Sequence, residues 1–476
     1  MNTPITKKEE SIKKSPERLE GQIGTAKLVF MVVAAAAPLT VIGGNVSIAI
    51  LNGNGPGAPI GFLIAMLVML FFSIGFATMT PYVKEPGAFY AYIRKSLGKR
   101  LGLSSAYIAL VTYTSIQVGM YAFGGGSITN YFETNFGISL PWWIFSFILV
   151  AIVGFFGYRK VELSAKVLSI VLILEMSVVI ILDLIIFASG GKEGITSDPI
   201  SASNLFTGTI SVAILFALTG FLGFESTAIY RDETRNPDRV IPRATYIAVF
   251  LIGLFYAITT WAFVVGWGPS LVVDKVAENP DGFLIATAAE YAGIIFADIV
   301  NLLLLISIFA CVLSFHNIIT RYQHALALEG DFPKKFSFVH ERHRSPSFSS
   351  LVQTVTAVII LVPFSLTNID PLVNIFGSMA GVATIGNMIL LFLTSLSVLI
   401  FFRSNQDIIS SRFKTNIAPI TAMTLIFICM GLALANFQLI TGLSVTISYI
   451  LACIPALVFV TGFVMATYTP NRKIGE

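Results

Sequence analysis

Apolar runs of roughly 20 residues recur from Leu28 almost to Thr467, and each is long enough to cross a hydrocarbon core of about 30 Å as a helix. The 476 residues are 55% apolar and 12% charged, far from the roughly one-quarter charged of soluble domains. A soluble core cannot bury that much apolar surface, so the runs read as membrane spans. No stretch between them is long enough to fold as an appended domain or enzyme. Cys311, Cys429 and Cys453 all fall within apolar spans, with neither the pairing of a disulfide framework nor the spacing of a zinc site, and read as packing residues.

The first 24 residues are polar, carry Lys7, Lys8, Lys13, Lys14 and Arg18, and lack the apolar core of a secretory signal, so the chain is expected to start in the cytoplasm. Net charge is only +4, but its distribution is informative. Basic clusters at 7–27, 84–100, 159–166, 231–243, 321–344, 403–414 and 472–473 are each separated by two apolar spans, and only Lys192 and Lys275 break the alternation. Under the positive-inside rule both termini are cytoplasmic and twelve helices cross the membrane. This pattern argues for orientation in a bilayer and against a nucleic-acid partner.

The expected spans are 27–51, 60–82, 102–131, 141–158, 161–189, 206–229, 242–267, 291–319, 349–367, 371–402, 416–436 and 442–467. The external segment 268–290 is expected to hold a short surface helix, and 321–348 is the longest internal segment. Two spans are interrupted. Span 1 contains the run Ala34-Ala35-Ala36-Ala37-Pro38-Leu39-Thr40 followed by Gly43-Gly44, where a proline removes a helix hydrogen bond in mid-membrane. Span 6 reads Thr219-Gly220-Phe221-Leu222-Gly223-Phe224-Glu225. Spans 1 and 6 each begin a set of five helices, and an odd number makes the second set start from the opposite side. Broken helices at matching positions in two inverted halves point to a transporter's binding site. Taken singly, each break could merely ease helix packing.

Broken backbone within a membrane needs partners for its freed N–H and C=O groups. A zwitterionic amino acid supplies both. The N–H groups opening the second half of span 1, near Thr40 to Gly44, suit an α-carboxylate. Carbonyls near Ala34 to Ala37 and from Leu218 to Phe221 suit an α-ammonium. The candidate substrate-binding residues are therefore Ala37, Pro38, Leu39, Thr40, Gly43, Gly44, Thr219, Gly220, Phe221, Leu222 and Gly223. Ionisable residues within the spans are Glu175, Asp183, Glu225, Asp298 and His316, and intramembrane ionisable groups carry functional hypotheses by default. Glu175, at the middle of span 5, and Glu225, just after the span 6 break, are the candidates for carrying a coupling proton. The bland alternative for each is a structural hydrogen bond. Asp183 and Asp298 read as solvated structural residues nearer the outer surface, and His316 as a hydrogen-bonded helix residue. Phe123, Phe221, Phe224 and Phe376 read as packing aromatics.

From Gln22 to Thr467 the chain resembles bacterial permeases of the amino acid–polyamine–organocation superfamily. The resemblance rests on Gly223-Phe224-Glu225-Ser226, Glu233-Thr234-Arg235-Asn236-Pro237 and Ile241-Pro242-Arg243-Ala244. Further support comes from Gly87-Ala88-Phe89-Tyr90-Ala91-Tyr92 with Gly98, Glu162-Leu163-Ser164-Ala165-Lys166, and Arg321 with Ala325, Ala327, Gly330 and Pro333. It implies an all-α integral membrane fold of about twelve helices, a five-plus-five inverted repeat like that of leucine transporters, followed by two C-terminal helices. The organisation is then a cytoplasmic tail over 1–24, repeats over 25–189 and 206–402, two helices over 416–467, and a cytoplasmic tail over 468–476. The family's span 1 turn falls near Pro38-Leu39-Thr40, and its span 6 contacts near Thr219 to Gly223. Glu225 matches an acidic residue tied to proton sensing in a related antiporter. Two departures stand out: the family's Gly-x-Gly is replaced by the alanine run and Pro38, and some proton-coupled members carry a lysine where Glu175 stands.

The resemblance implies movement of amino acids or related amines by alternating access, and the leading reading is proton-coupled import of an amino acid across a bacterial cytoplasmic membrane, with no cofactor beyond the coupling ion, H+ or else Na+. Competing readings are a polyamine importer, in which an extra acid would hold the second ammonium, an amino acid exchanger, and a nutrient sensor. A channel predicts a continuous polar stripe instead of breaks. No span carries an enzyme's nucleophile and base or a metal cluster, and His324, His340 and His343 read as solvated loop residues. Oligomeric state is not legible.

Overall fold

A computed structural model describes residues 23–84, 88–159, 165–201, 203–204, 207–225, 227, 231, 234–342, 345–408 and 411–468. Among them the chain is all-helical, and the only extended pairing is an isolated bridge between Ile23 and Thr234. Helix is the expected outcome for a long apolar run, because hydrocarbon offers the backbone no partner and a helix satisfies its polar groups internally. Both tails beyond this range, and Gly87, Glu162, Leu163, Ser164, Ser226, Glu233 and His343, lie outside the described residues.

Nine helical stretches among the described residues are long and apolar enough to span a bilayer, and the first of these, Thr25–Tyr82, contains both span 1 and span 2. Span 1 comprises α1 (Thr25–Ala35) and α2 (Pro38–Val41), the latter continuing as π-helix over Ile42–Val46 and Ala49–Asn54. After a Gly55-Pro56-Gly57 turn comes α3 (Ala58–Met79). A helix the periodicity reading did not foresee, α4 (Ala88–Leu97), leads into α5 (Lys99–Phe136). Then follow α6 (Trp142–Tyr158), α7 (Ala165–Ser189), and α8 (Ile210–Thr219), which forms the first half of span 6. Next come α9 (Pro237–Trp267), α10 (Val272–Glu278), α11 (Phe283–Ala292) and α12 (Ile294–Leu328). The last are α13 (Ser347–Ser365), α14 (Gly377–Ser404), α15 (Ala418–Ala435), α16 (Phe437–Thr441) and α17 (Val445–Tyr468).

Three expectations need correction. The segment 268–290, expected to hold one short surface helix, leads through two helices, α10 and α11, and neither lies loosely on the surface. Val272, Val276, Phe283, Leu284 and Thr287 are buried, and Trp267 donates its indole N–H to the Thr287 hydroxyl at 2.9 Å. Apolar residues at helical spacing sealed this segment onto the core. Cys453 is exposed on α17, so only Cys311 and Cys429 are packing cysteines. His324 lies within α12 and hydrogen-bonds the Phe336 carbonyl at 3.1 Å, a consequence of α12 running past the expected end of span 8. The two lysines that broke the charge pattern are accounted for by acids and one ring: Lys192 pairs with Glu290 and Lys275 with Glu278, and both ammonium groups stand over Trp267.

Candidate functional site

The break in span 1 is a single residue. Ala37 adopts φ 46° and ψ 67°, and the second half-helix starts at once with Pro38. Proline disfavours the right-handed helical region for the residue before it, and Ala37 takes the left-handed one, which costs a non-glycine residue about 1–2 kcal/mol. Asn236, the other described non-glycine residue at positive φ, also precedes a proline. The break of span 6 follows Thr219 as a series of tight turns, Phe221 N–H to Leu218 O, Leu222 N–H to Thr219 O and Phe224 N–H to Phe221 O. Gly223 carries the reversal at φ 97°, where a side chain would be strained.

The two breaks meet. A methyl group at Gly223 would stand 3.3 Å from the Ala35 carbonyl oxygen, and one at Gly220 would stand 3.1 Å from Val41. One turn further on, Asn45 donates its side-chain amide to the Phe216 carbonyl at 2.8 Å, binding the second half of span 1 to the first half of span 6. The expected carbonyl acceptors are partly engaged: Ala37 N–H donates to Ala34 O, and Val41 N–H to Ala37 O. Each carbonyl retains a second lone pair. The first N–H of the second half-helix belongs to Leu39, because Pro38 has none, and the Glu175 carboxylate stands beside it.

Glu175 reaches this point from α7 and is 4% exposed. Its carboxylate is also near Ser307 of α12, whose hydroxyl accepts from the Thr40 hydroxyl at 3.0 Å. Two helices, α7 and α12, thus meet at the start of α2. Glu225 plays the matching part at the other break: it accepts from the Gly223 N–H at 3.0 Å and from the Tyr113 hydroxyl of α5 at 2.5 Å. One buried carboxylate therefore stands at each break, Glu225 bonded to its backbone and Glu175 beside it.

Gly43 and Gly44 do not open an empty groove. Methyl groups there would lie 3.2 Å from Leu304 and 3.2 Å from Phe123 respectively, so the glycines admit an apolar wall made of Phe123, Phe376 and Phe216 with Leu304 and Leu372. Phe123 and Phe376 pack with ring centroids 5.7 Å apart. Phe221 packs on Tyr256, and Phe224 on Phe72, Phe76 and Phe89. Thr219 shares a 2.5 Å hydrogen bond with Thr384 of α14. Leu222 is buried. Among the described residues no Lys or Arg is buried, and no cluster of His, Cys, Asp and Glu is fit to hold a metal ion.

Of the remaining ionisable residues, Asp298 is exposed and His316 hydrogen-bonds Ser350 at 2.8 Å, both as expected. Asp183 is a correction: it is 6% exposed and not solvated, held by the Thr259 hydroxyl at 2.7 Å. Sequence reasoning missed Tyr113, Ser307 and Thr384. Their one sequence signal is a hydroxyl within an apolar span, which by itself does not say what it faces.

These features define an all-helical, multi-pass membrane protein whose two broken helices meet in its buried centre. Residues 27–473 match the profile of the family described as amino acid permease, and the chain belongs to that family, within the amino acid–polyamine–organocation superfamily. It is similar to the low-affinity putrescine importer PlaP of Escherichia coli (strain K12), 23% identical over 368 residues, 74% of this chain and 76% of the relative. It is also similar to the branched-chain amino acid permease BcaP of Bacillus subtilis, 24% identical over 399 residues, 80% of this chain and 81% of the relative. A third relative, the gamma-aminobutyric acid permease of Bacillus subtilis, is 23% identical over 341 residues, 68% of each chain.

Proposed function

We propose that this chain imports an amino acid with an uncharged side chain across a bacterial cytoplasmic membrane, driven by protons moving inward with it. The observation that carries the reading is that each broken helix has one buried carboxylate against it, Glu225 bonded to the Gly223 N–H and Glu175 standing beside Leu39. A carboxylate accepts from a backbone N–H; once protonated it also donates, and the bonds holding the break change with it. Proton binding and the geometry of the break are then a single event. On this reading spans 1–5 and 6–10 form the two inverted halves that rock about the site.

The uncharged side chain follows from the wall of Phe123, Phe216, Phe376, Leu304 and Leu372, and from the absence of a buried Lys or Arg among the described residues. Backbone groups at the breaks would hold the substrate's carboxylate and ammonium. Similarity to a putrescine importer favours a second reading, in which Glu175 or Glu225 holds a second ammonium.

Purified protein in liposomes, given an inward proton gradient and labelled leucine, γ-aminobutyrate and putrescine in turn, separates the two. Proton-driven accumulation of an amino acid supports the leading reading. Accumulation of putrescine alone replaces it with the second, and accumulation that follows sodium and ignores pH rejects the proton as coupling ion.

A further inference from the structure

The chain between α12, which ends at Leu328, and α13, which begins at Ser347, joins the ends of two membrane-spanning helices and so lies at the level of the lipid headgroups. Both helices hold this connection by one residue. The Phe336 carbonyl is hydrogen-bonded by His324 of α12 at 3.1 Å and accepts from the Ser349 hydroxyl of α13 at 3.2 Å. Its ring packs edge-on against Phe332 and Phe348, with centroids 4.9 and 5.1 Å away. A single helical turn, Lys334–Ser337, is thereby fixed at the membrane boundary.

The acids nearest in sequence to this turn are already engaged by cations from elsewhere. Glu329 pairs with Arg94 of α4 at 2.6 Å, and Asp331 with Lys99 of α5 at 3.3 Å. Glu341, further on, is exposed and forms no ion pair among the described residues. Lys334 and Lys335 are therefore left exposed and without an acidic partner among those residues. They line a groove of about 670 Å³ whose other walls are Ser337, Phe338, Val339 and Phe348. Phe338 is 56% exposed and Val339 43%. Solvated ammonium groups need no apolar neighbours, and an exposed Phe and Val gain nothing from water. A phosphate that carries acyl chains answers both halves of the groove.

We propose that this groove binds an anionic phospholipid of the surrounding membrane, its phosphate held by Lys334 and Lys335 and its acyl chain laid against Phe338, Val339 and Phe348. Each lysine beside an anionic lipid surface is worth roughly fivefold in affinity, so the pair is worth on the order of thirtyfold. A zwitterionic lipid carries its own cation beside the phosphate and lacks the net charge that this groove selects. Because the groove is tied to α12 and α13 through Phe336, a lipid seated there fastens the two helices where they leave the membrane. Neither the substrate nor the coupling ion enters this assignment.

The test places the full-length protein in phosphatidylcholine nanodiscs with a trace of phosphatidylglycerol bearing a photoreactive group on its acyl chain, followed by irradiation, digestion and mapping of the label. In wild type the label is expected to concentrate on peptides from residues 328–348. Lys334→Gln with Lys335→Gln should reduce that labelling at least about tenfold, while labelling elsewhere on the protein stays within about twofold. Lys334→Arg with Lys335→Arg, which keeps both charges, should retain it within about threefold. Excess unlabelled phosphatidylglycerol should compete, whereas excess phosphatidylcholine and inorganic phosphate should not. Labelling unchanged by the double glutamine substitution, or equal labelling by a photoreactive phosphatidylcholine, would make the lysines ordinary solvated charges and overturn the proposal. Competition by inorganic phosphate as effective as by lipid would overturn it as well, assigning the groove to a soluble phosphate compound. Phe338→Ser is expected to cost severalfold in labelling; no loss would refute the acyl contact. A second readout needs no label. Phosphatidylglycerol added to detergent-purified protein should raise the inactivation temperature of wild type by a few degrees and leave the double glutamine variant unmoved, and an equal rise in both would overturn the proposal.

Discussion

Glu225 is surrounded by donors: the Tyr113 hydroxyl, the Gly223 N–H and its own N–H. Glutamine in its place keeps one oxygen for the backbone N–H groups and turns an NH2 toward Tyr113, whose hydroxyl can accept as readily as donate. Glu225→Gln is therefore expected to fold, to exchange substrate, and to lose the pH dependence of net uptake, which parallel exchange and gradient assays would measure. Tyr113→Phe behaves differently, because it leaves a buried carboxylate oxygen without its donor. The expected cost is about 1–3 kcal/mol, read as earlier thermal inactivation in detergent. A Glu225→Gln protein less stable than Tyr113→Phe would contradict this account of the hydrogen bonds.

At the scale of elements, the broken helices show what a single sequence reveals and what it does not. Pro38 and the glycines of span 6 marked both breaks, and the structure places them together. The break in span 1 nevertheless falls on Ala37, and not among the glycines after it; a proline's effect on its predecessor outweighs the looseness of Gly43 and Gly44, which are occupied in admitting Phe123 and Leu304. Pro38→Ala frees Ala37 to return to the right-handed helix and restores an N–H, so α1 and α2 should join. Folded protein with uptake reduced at least about tenfold is expected, since the break on which the proposed binding site is built would close. The α10–α11 hairpin gives a second expectation. Asp281, between those helices, is half-buried as a residue, but its Oδ1 is out of solvent reach and unpaired among the described residues. Burial, and then the nearby charge of Asp370, hold its carboxyl well above the usual aspartate value of 3.8. The folded protein then binds this proton more tightly than the unfolded chain, so stability from this group is present at acid pH and is lost as pH rises above the unfolded value. Asp281→Asn should raise the inactivation temperature at neutral pH and weaken its decline with pH; no change at neutral pH would refute the assignment.

For the molecule as a whole, the apolar runs and the alternation of basic clusters anticipated helices at every expected span, because hydrocarbon leaves the backbone few alternatives. What they could not convey was pairing: that Tyr113 of α5 holds Glu225 and that Ser307 of α12 comes beside Glu175 is decided by helix packing, to which hydrophobicity is blind. Orientation is the expectation with the most direct whole-molecule test. Lys275 on α10 and Lys334 after α12 are separated by one spanning helix, the 35-residue α12, about 52 Å long against a core of about 30 Å. The charge pattern assigns Lys334 to the inside and leaves Lys275 outside, held by Glu278 and Trp267. With Cys453, the exposed native cysteine, first replaced by serine, Lys275→Cys should react with an impermeant maleimide in intact cells. Lys334→Cys should react only in inverted vesicles. Both reacting from the same side would mean that α12 does not cross, and the inverted halves would then have no basis; each reacting from the side opposite to that expected would keep the fold and reverse its orientation.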